Sequence, residues 1–286
     1  MLILNAVING LLFGGVLALM AFGMNLMFGV VQIVHLAYGQ FIMVGLYLVY
    51  LLTVLYHVPL LLSCALATIA IALLSVLCYY SVVKPLLKAP PINQLLALAG
   101  LWIVLENACL AFFGATYKGV QVVLPVLHVG EVYIAASNLI GFGVGLITLG
   151  LLYLFLNKTY TGVAIRAVAQ DAEVSGIMGI NSRTIYLITF VVGGALAGIT
   201  AACFVPVYAV HPHFGSAFTL LAFIIVILGG MGNLIGGFIG AFIIGVVTSV
   251  SSTLLNPEIG QIIALLICLL IIILRPQGLL GVRART

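Results

Sequence analysis

The chain reads as long apolar runs parted by short polar breaks. Residues 1–83 hold no Asp, Glu, Lys or Arg. About 20 apolar residues suffice to cross a bilayer core as a helix, so this stretch must fold back on itself. Its first break is expected near Gly29–His35, where Gln32 and His35 interrupt the run. A third span is expected at 58–82, with further spans at 92–115, 137–157, 184–210, 217–230, 233–255 and 259–275. Residues 217–255 as one helix would be about 58 Å long, roughly twice the hydrocarbon core. They must therefore break, and Gly229-Gly230-Met231-Gly232-Asn233 is the expected place. The runs are continuous rather than alternating, and backbone groups in lipid must pair internally, so helices are expected and not a barrel. The expected fold is all-α, a polytopic transmembrane helix bundle of about 8–10 segments with broken helices, in one domain over 1–286.

Composition sharpens this. The 286 residues are 65% hydrophobic and 5% charged, against roughly 25% charged in a soluble domain. That excludes a soluble enzyme, a secreted disulfide scaffold, a nucleic-acid binder and a disordered chain. Membrane lipid is the solvent. The few cations cluster: Lys84 and Lys88; Lys158, Arg166 and Arg183; Arg275, Arg283 and Arg285; with Lys118 alone. Even numbers of spans separate the three clusters, so one face can hold all of them, and the positive-inside rule makes that face cytoplasmic. The N-terminus then lies outside and the C-terminus inside. A cleaved signal peptide is not expected, because no basic region precedes the first apolar run.

Glycine marks packing. Gly232, Gly236 and Gly240 repeat every four residues, as do Gly10 and Gly14, and Gly194 and Gly198. Small residues at this spacing let helix backbones approach closely in a membrane. The five cysteines fall in apolar spans without metal-ligand spacing and read as small buried hydrophobes. No phosphate loop, HExxH or GxSxG motif is present, so no catalytic residue, bound cofactor or metal is expected.

Polar groups at membrane depth mark either a pathway or a helix–helix hydrogen bond. Gln32, His35, Tyr38 and Gln40 gather at the first break, Glu106 and Asn107 lie deep in one span, and Asn233 sits at the later break. For Glu106 both readings stand: a group lining the translocation path, or a partner for a neighbouring helix. His211 and His213 form an HPH turn; two imidazoles this close could bind a metal, but with no carboxylate near in sequence, a solvated or interfacial turn is expected.

Residues 157–183 form the one long polar segment on the basic face. Thr161 is a candidate N-cap, and Gly176 or Gly179 a candidate terminator. Arg166, Gln170 and Glu173 would share one helical face beside Ile165, Ala169 and Ala172. So short a helix needs a partner to be stable.

At this point the sequence resembles a known family. GVAIRAVAQDAEVSGIMGIN (162–181) is similar to the cytoplasmic coupling segment of permease subunits from branched-chain amino acid ABC importers of the Liv type. AFIIVILGGMGNLIGGFIGA (222–241) looks like that family's glycine-rich late helix pair, and LRPQGLLG (274–281) like its C-terminal signature. VHLAYGQFIMVG (34–45) resembles its early NFAHG element, and the Lys84–Gln94 loop lies where relatives carry a basic, Pro-containing loop. The chain departs from the pattern at Val34-His35 in place of Asn-Phe, at Tyr38 in place of His, and at Glu106, where relatives more often carry an uncharged residue.

The resemblance implies a bacterial inner-membrane subunit importing hydrophobic amino acids by alternating access. It would pair with a second homologous permease, two ATPase subunits that hold ATP and Mg, and a periplasmic substrate-binding protein. Arg166, Gln170, Asp171, Glu173 and Gly179 would couple it to the ATPases. Urea, short amides or aromatic acids are alternative cargoes for such a permease. A different class, the autonomous channel or secondary carrier, also tolerates broken helices and an intramembrane acid.

Overall fold

A computed structural model describes residues 2–122, 124–129, 132–275 and 277–280. Glu131, Pro276, Arg283 and Arg285 lie outside the described residues. The first helix, α1 (Leu2–Val31), runs 30 residues, about 45 Å. It ends where Gln32 takes a left-handed φ of 58°, a conformation that L-residues other than glycine seldom adopt. The chain restarts as α2 (Tyr38–Tyr50), which continues through a π-helical turn at Leu51–Leu55. Helix α3 (Leu60–Cys78) runs through a second π turn at Tyr79–Val83 into the short α4 (Lys84–Leu86). Pro91 opens α5 (Pro91–Phe113), where its missing N–H costs nothing.

An antiparallel hairpin follows, β1 (Val126–Val129) with β2 (Val132–Ala135), in register Val126 to Ala135 and Leu127 to Ile134. The remaining elements are α6 (Ala136–Lys158), α7 (Tyr160–Gln170), α8 (Ala172–Ile177), α9 (Ser182–Phe204), α10 (Phe214–Gly229), α11 (Leu234–Leu254) and α12 (Pro257–Leu274). Among the described residues seven helices are long and apolar enough to cross a membrane, and Phe214–Gly229 and Ile259–Ile271 are shorter apolar helices. This is the all-α polytopic bundle with broken helices that the runs predict.

The centre of the bundle is α1, packed against α11, α9, α6 and α10. Close approach is built from glycine. A Cβ on Gly10 would stand 2.8 Å from Val246 Cα, and one on Gly245 would stand 2.7 Å from the Gly10 carbonyl oxygen. Gly194 and Gly198 admit Ser75 and Thr68 of α3 in the same way. Gly236 and Gly240 face α10, with Gly236 backbone directly against Gly229 backbone. Gly232 differs from these two: it precedes α11, has φ of 82°, and faces Gly29.

Contacts sort the connections to two ends. At one, Asn9 reaches the carbonyl of Tyr133 and Asn138 reaches Asn9, so the start of α1 lies beside the hairpin. Lys118 pairs with Val210 by two backbone hydrogen bonds near Tyr117 and His211. At the other end, Gln94 binds the carbonyl of Leu86, Tyr79 that of Arg183, and Ser182 that of Ala172. Asn25 reaches the α10–α11 break there. This second end gathers the loop after α3, the α7–α8 segment, the start of α9 and residues 277–280. It holds the cation clusters, as far as they are described, and the start of α1 lies opposite.

Candidate functional site: a carboxylate cluster in the bundle and an exposed helical segment at its basic end

The polar residues separate into three groups. The first is built around Glu106. One turn earlier on α5, the Trp102 indole Nε1–H donates to Glu106 Oε2 at 2.7 Å. From the first turn of α2, Gln40 Nε2 donates to the same oxygen at 3.2 Å. The other oxygen, Oε1, meets His213 Nδ1 at 2.5 Å. His213 is the residue before α10, in the connection 205–213. The expectation that the HPH turn has no carboxylate near it is therefore corrected: Glu106, far away in sequence, arrives through the fold. Burial and the neighbouring His213 pull the pKa of His211 below its usual 6.5.

Gln40 is fixed by its surroundings. Its side chain is buried and abuts Gly215, and its Oε1 has no hydrogen-bond partner. Next to it, Gly39 N–H donates to Thr219 Oγ1 at 3.0 Å. A Cβ on Gly39 would fall on the Gly215 carbonyl oxygen, so the first turns of α2 and α10 touch backbone to backbone.

The second group is apolar in character. His35 is buried among Tyr38, Phe41 and Phe190, its Nε2 3.8 Å from Cys78 Sγ and its Nδ1 without a partner. Tyr38 OH donates to the Gly193 carbonyl at 3.3 Å. The third group holds the late break. Asn233 Oδ1 accepts from Gly236 N–H, capping α11, and its Nδ2 donates to the Leu280 carbonyl at 2.6 Å. Asn25 bridges the same break, accepting from Gly232 N–H at 2.6 Å and donating to the Asn233 carbonyl at 2.7 Å. Gln32 and Asn107 join none of these: both are exposed, and Asn107 donates to the Ile103 carbonyl of its own helix.

At the basic end the segment 157–183 differs from the single helix expected. Thr159, not Thr161, caps α7, its Oγ1 accepting from Gly162 N–H at 3.0 Å. Asp171 then breaks the helix, because its carboxylate accepts from the N–H groups of both Glu173 and Val174 and so starts α8. Arg166 and Gln170 thus lie on α7 and Glu173 on α8, not on one continuous face. Gly179 follows α8 with φ of 85°. Arg166, Gln170, Asp171, Glu173 and Gly179 are all exposed, as are Ile177 at 81% and Met178 at 77%. Ile165 is buried and anchors α7 to the bundle.

Trp102, Asn25, Ile177 and Met178 are not among the residues the sequence singles out, and His213 is singled out only as part of the HPH turn, not as a partner of Glu106. Trp102 stands four residues before Glu106, a helical spacing that gives a signal. His213 and Asn25 are more than 100 residues from their partners and give none.

A multi-pass helical bundle with broken helices and polar groups at the breaks is the architecture of a membrane permease. The chain matches, over residues 6–274, the model of the branched-chain amino acid transport system permease component, and it belongs to that family. It is 30% identical over 250 residues to the high-affinity branched-chain amino acid transport system permease protein BraD of Pseudomonas aeruginosa, covering 82% of this chain and 81% of that protein. It is 25% identical over 254 residues to LivH of Salmonella typhimurium, with 82% and 80% covered. The probable LivH of Methanocaldococcus jannaschii is 26% identical over 243 residues, with 80% and 76% covered.

Proposed function

We propose that this chain is one translocating subunit of an ATP-driven importer that carries branched-chain amino acids across the bacterial inner membrane by alternating access. The observation that carries the reading is the α7–α8 segment. It leaves Ile177 and Met178 bare on the same segment as the exposed Arg166 and Glu173. Neither charge has an ion-pair partner among the described residues. Apolar side chains bared on a polar segment at the end of a bundle mark an interaction surface.

Two separate ATPase subunits, holding ATP and Mg, dock on this face, which is cytoplasmic together with the C-terminus. A second, homologous permease completes the pathway, and a periplasmic binding protein delivers the cargo. Coupling is then a rigid-body event: the docked segment shifts with the ATPase dimer and biases two packings of the bundle. Gln40, Glu106, His35 and Tyr38 line or shape the path, while Asn233 and the glycines of α11 set how its walls pack.

The test uses the assembled complex in proteoliposomes. Arg166→Glu, Glu173→Arg and Ile177→Asp are each expected to lower binding-protein-stimulated ATP hydrolysis about tenfold, equivalent to about 1.4 kcal/mol of lost coupling. Wild-type stimulation in all three would remove this segment from the role. Solute uptake by this chain alone, without ATPases, would favour an autonomous carrier instead. Sidedness is checked separately: a cysteine placed at Leu2 is expected to react with an impermeant thiol reagent from the periplasmic side, and labelling only from the cytoplasm would invert the topology.

A further inference from the structure

Glu106 is an acid within an apolar helix, and the two oxygens of its carboxylate are held differently. Oε2 is fixed by two neutral donors, Trp102 Nε1 at 2.7 Å and Gln40 Nε2 at 3.2 Å. Gln40 is buried against Gly215 and has no room to withdraw. Oε1 has a single partner, His213, whose side chain is 70% exposed while that of Glu106 is 18% exposed. The pair is the only ion pair among the described residues, so no Lys or Arg balances this carboxylate.

A carboxylate largely withdrawn from bulk water gains from a permanent counter-charge, and no Lys or Arg among the described residues supplies one. An ammonium N–H to carboxylate contact is roughly twice as strong as a neutral hydrogen bond. The helix around the carboxylate is also loosely held: the main neighbours of α5 are α2 and the π turn after α3. The oxygen that faces His213 is therefore an acceptor with an exchangeable partner, presented by a carboxylate whose other oxygen is fixed.

We propose that Glu106 Oε1 is the recognition point for a primary ammonium group on the carried solute, which displaces the His213 imidazole while Trp102 and Gln40 hold the carboxylate in place. The inference rests on the permease reading above and narrows it. Cargo must bear a free ammonium group, as an α-amino acid does; urea, simple amides and acids without nitrogen fail at this point. The exchange swaps one donor for another on the same oxygen and breaks no covalent bond.

Trp102 is the sole tryptophan of the chain and donates directly to the carboxylate, so its emission reports the site in the full chain without partner subunits. The experiment titrates the full-length chain in lipid nanodiscs with isopentylamine, L-leucine and 4-methylpentanoate, which share a branched skeleton. A saturable change with the two ammonium compounds and none with 4-methylpentanoate is expected. Glu106→Gln is expected to weaken the response at least about tenfold, and Glu106→Asp to keep part of it. His213→Ala, which removes the competitor, is expected to lower the half-saturating concentration. A response that survives Glu106→Gln, an equal response to 4-methylpentanoate, or no response to any of the three overturns the proposal. The importer reading is decided apart from this, by ATP-dependent leucine uptake in the wild-type complex. Full uptake in the Glu106→Gln complex would overturn the ammonium site and leave the importer standing.

Discussion

Replacing Gly236 with alanine is expected to destabilise the bundle by about 3 kcal/mol, the upper part of the range for forcing an extra methyl into a packed interior. The added Cβ would fall on the backbone of Gly229, and Gly229 returns the contact through its own missing Cβ. No rotamer relieves such a clash, because both sides are main chain. The helices α10 and α11 would have to separate. Melting of the purified protein in detergent measures the effect, and Gly150→Ala is the matched control. A Cβ there meets nothing within 4 Å, and alanine in place of an exposed helical glycine stabilises by roughly 0.5–1 kcal/mol. Equal melting of wild type and Gly236→Ala would show that α10 and α11 are not in backbone contact.

Asn25→Leu, close in volume but without the amide, is expected to cost about 2–3 kcal/mol. Asn25 is buried, and its amide serves both Gly232 N–H and the Asn233 carbonyl. Removing it leaves two main-chain groups without partners at a site where water is scarce, and each such group costs about 1–3 kcal/mol. The loss is below the sum because a break at a bundle end can relax toward solvent. Asn107→Leu is the contrast. That side chain is exposed and bonds only to its own helix, so the change should stay within about 0.5 kcal/mol. If both variants melt alike, the Asn25 bridge does not hold the break closed.

Much of the fold is legible in the sequence because lipid imposes a coarse constraint. A run too long for the bilayer must break, and glycine or a polar residue says where. The break at 229–233 is of this kind, and the structure opens it at Gly230 and Gly232, both with positive φ. The even spacing of the cation clusters likewise gives their common end. What was not legible depends on pairings that sequence distance hides. Glu106 and His213 are 107 residues apart, and nothing local to the HPH turn announces a carboxylate. The split at Asp171 has a local signal, since an Asp two and three residues before free N–H groups is a helix start, but the apolar spacing of Ile165, Ala169 and Ala172 points the other way, to one continuous helix. The pairing of β1 with β2 is hidden for another reason: each strand is only four residues long, too short for its Val, Leu, Tyr and Ile to set a period.

The clamp at the α10–α11 break joins distant parts of the chain. Leu279 and Leu280 donate main-chain hydrogen bonds to the carbonyls of Leu228 and Gly229, and Leu280 accepts from Asn233, whose own carbonyl is held by Asn25 of α1. Helix α1 is thus secured in part by residues that lie far downstream of it in the chain. During synthesis the part of α1 that carries Gly10 and Gly14 must wait in the bilayer until α11 arrives to cover it.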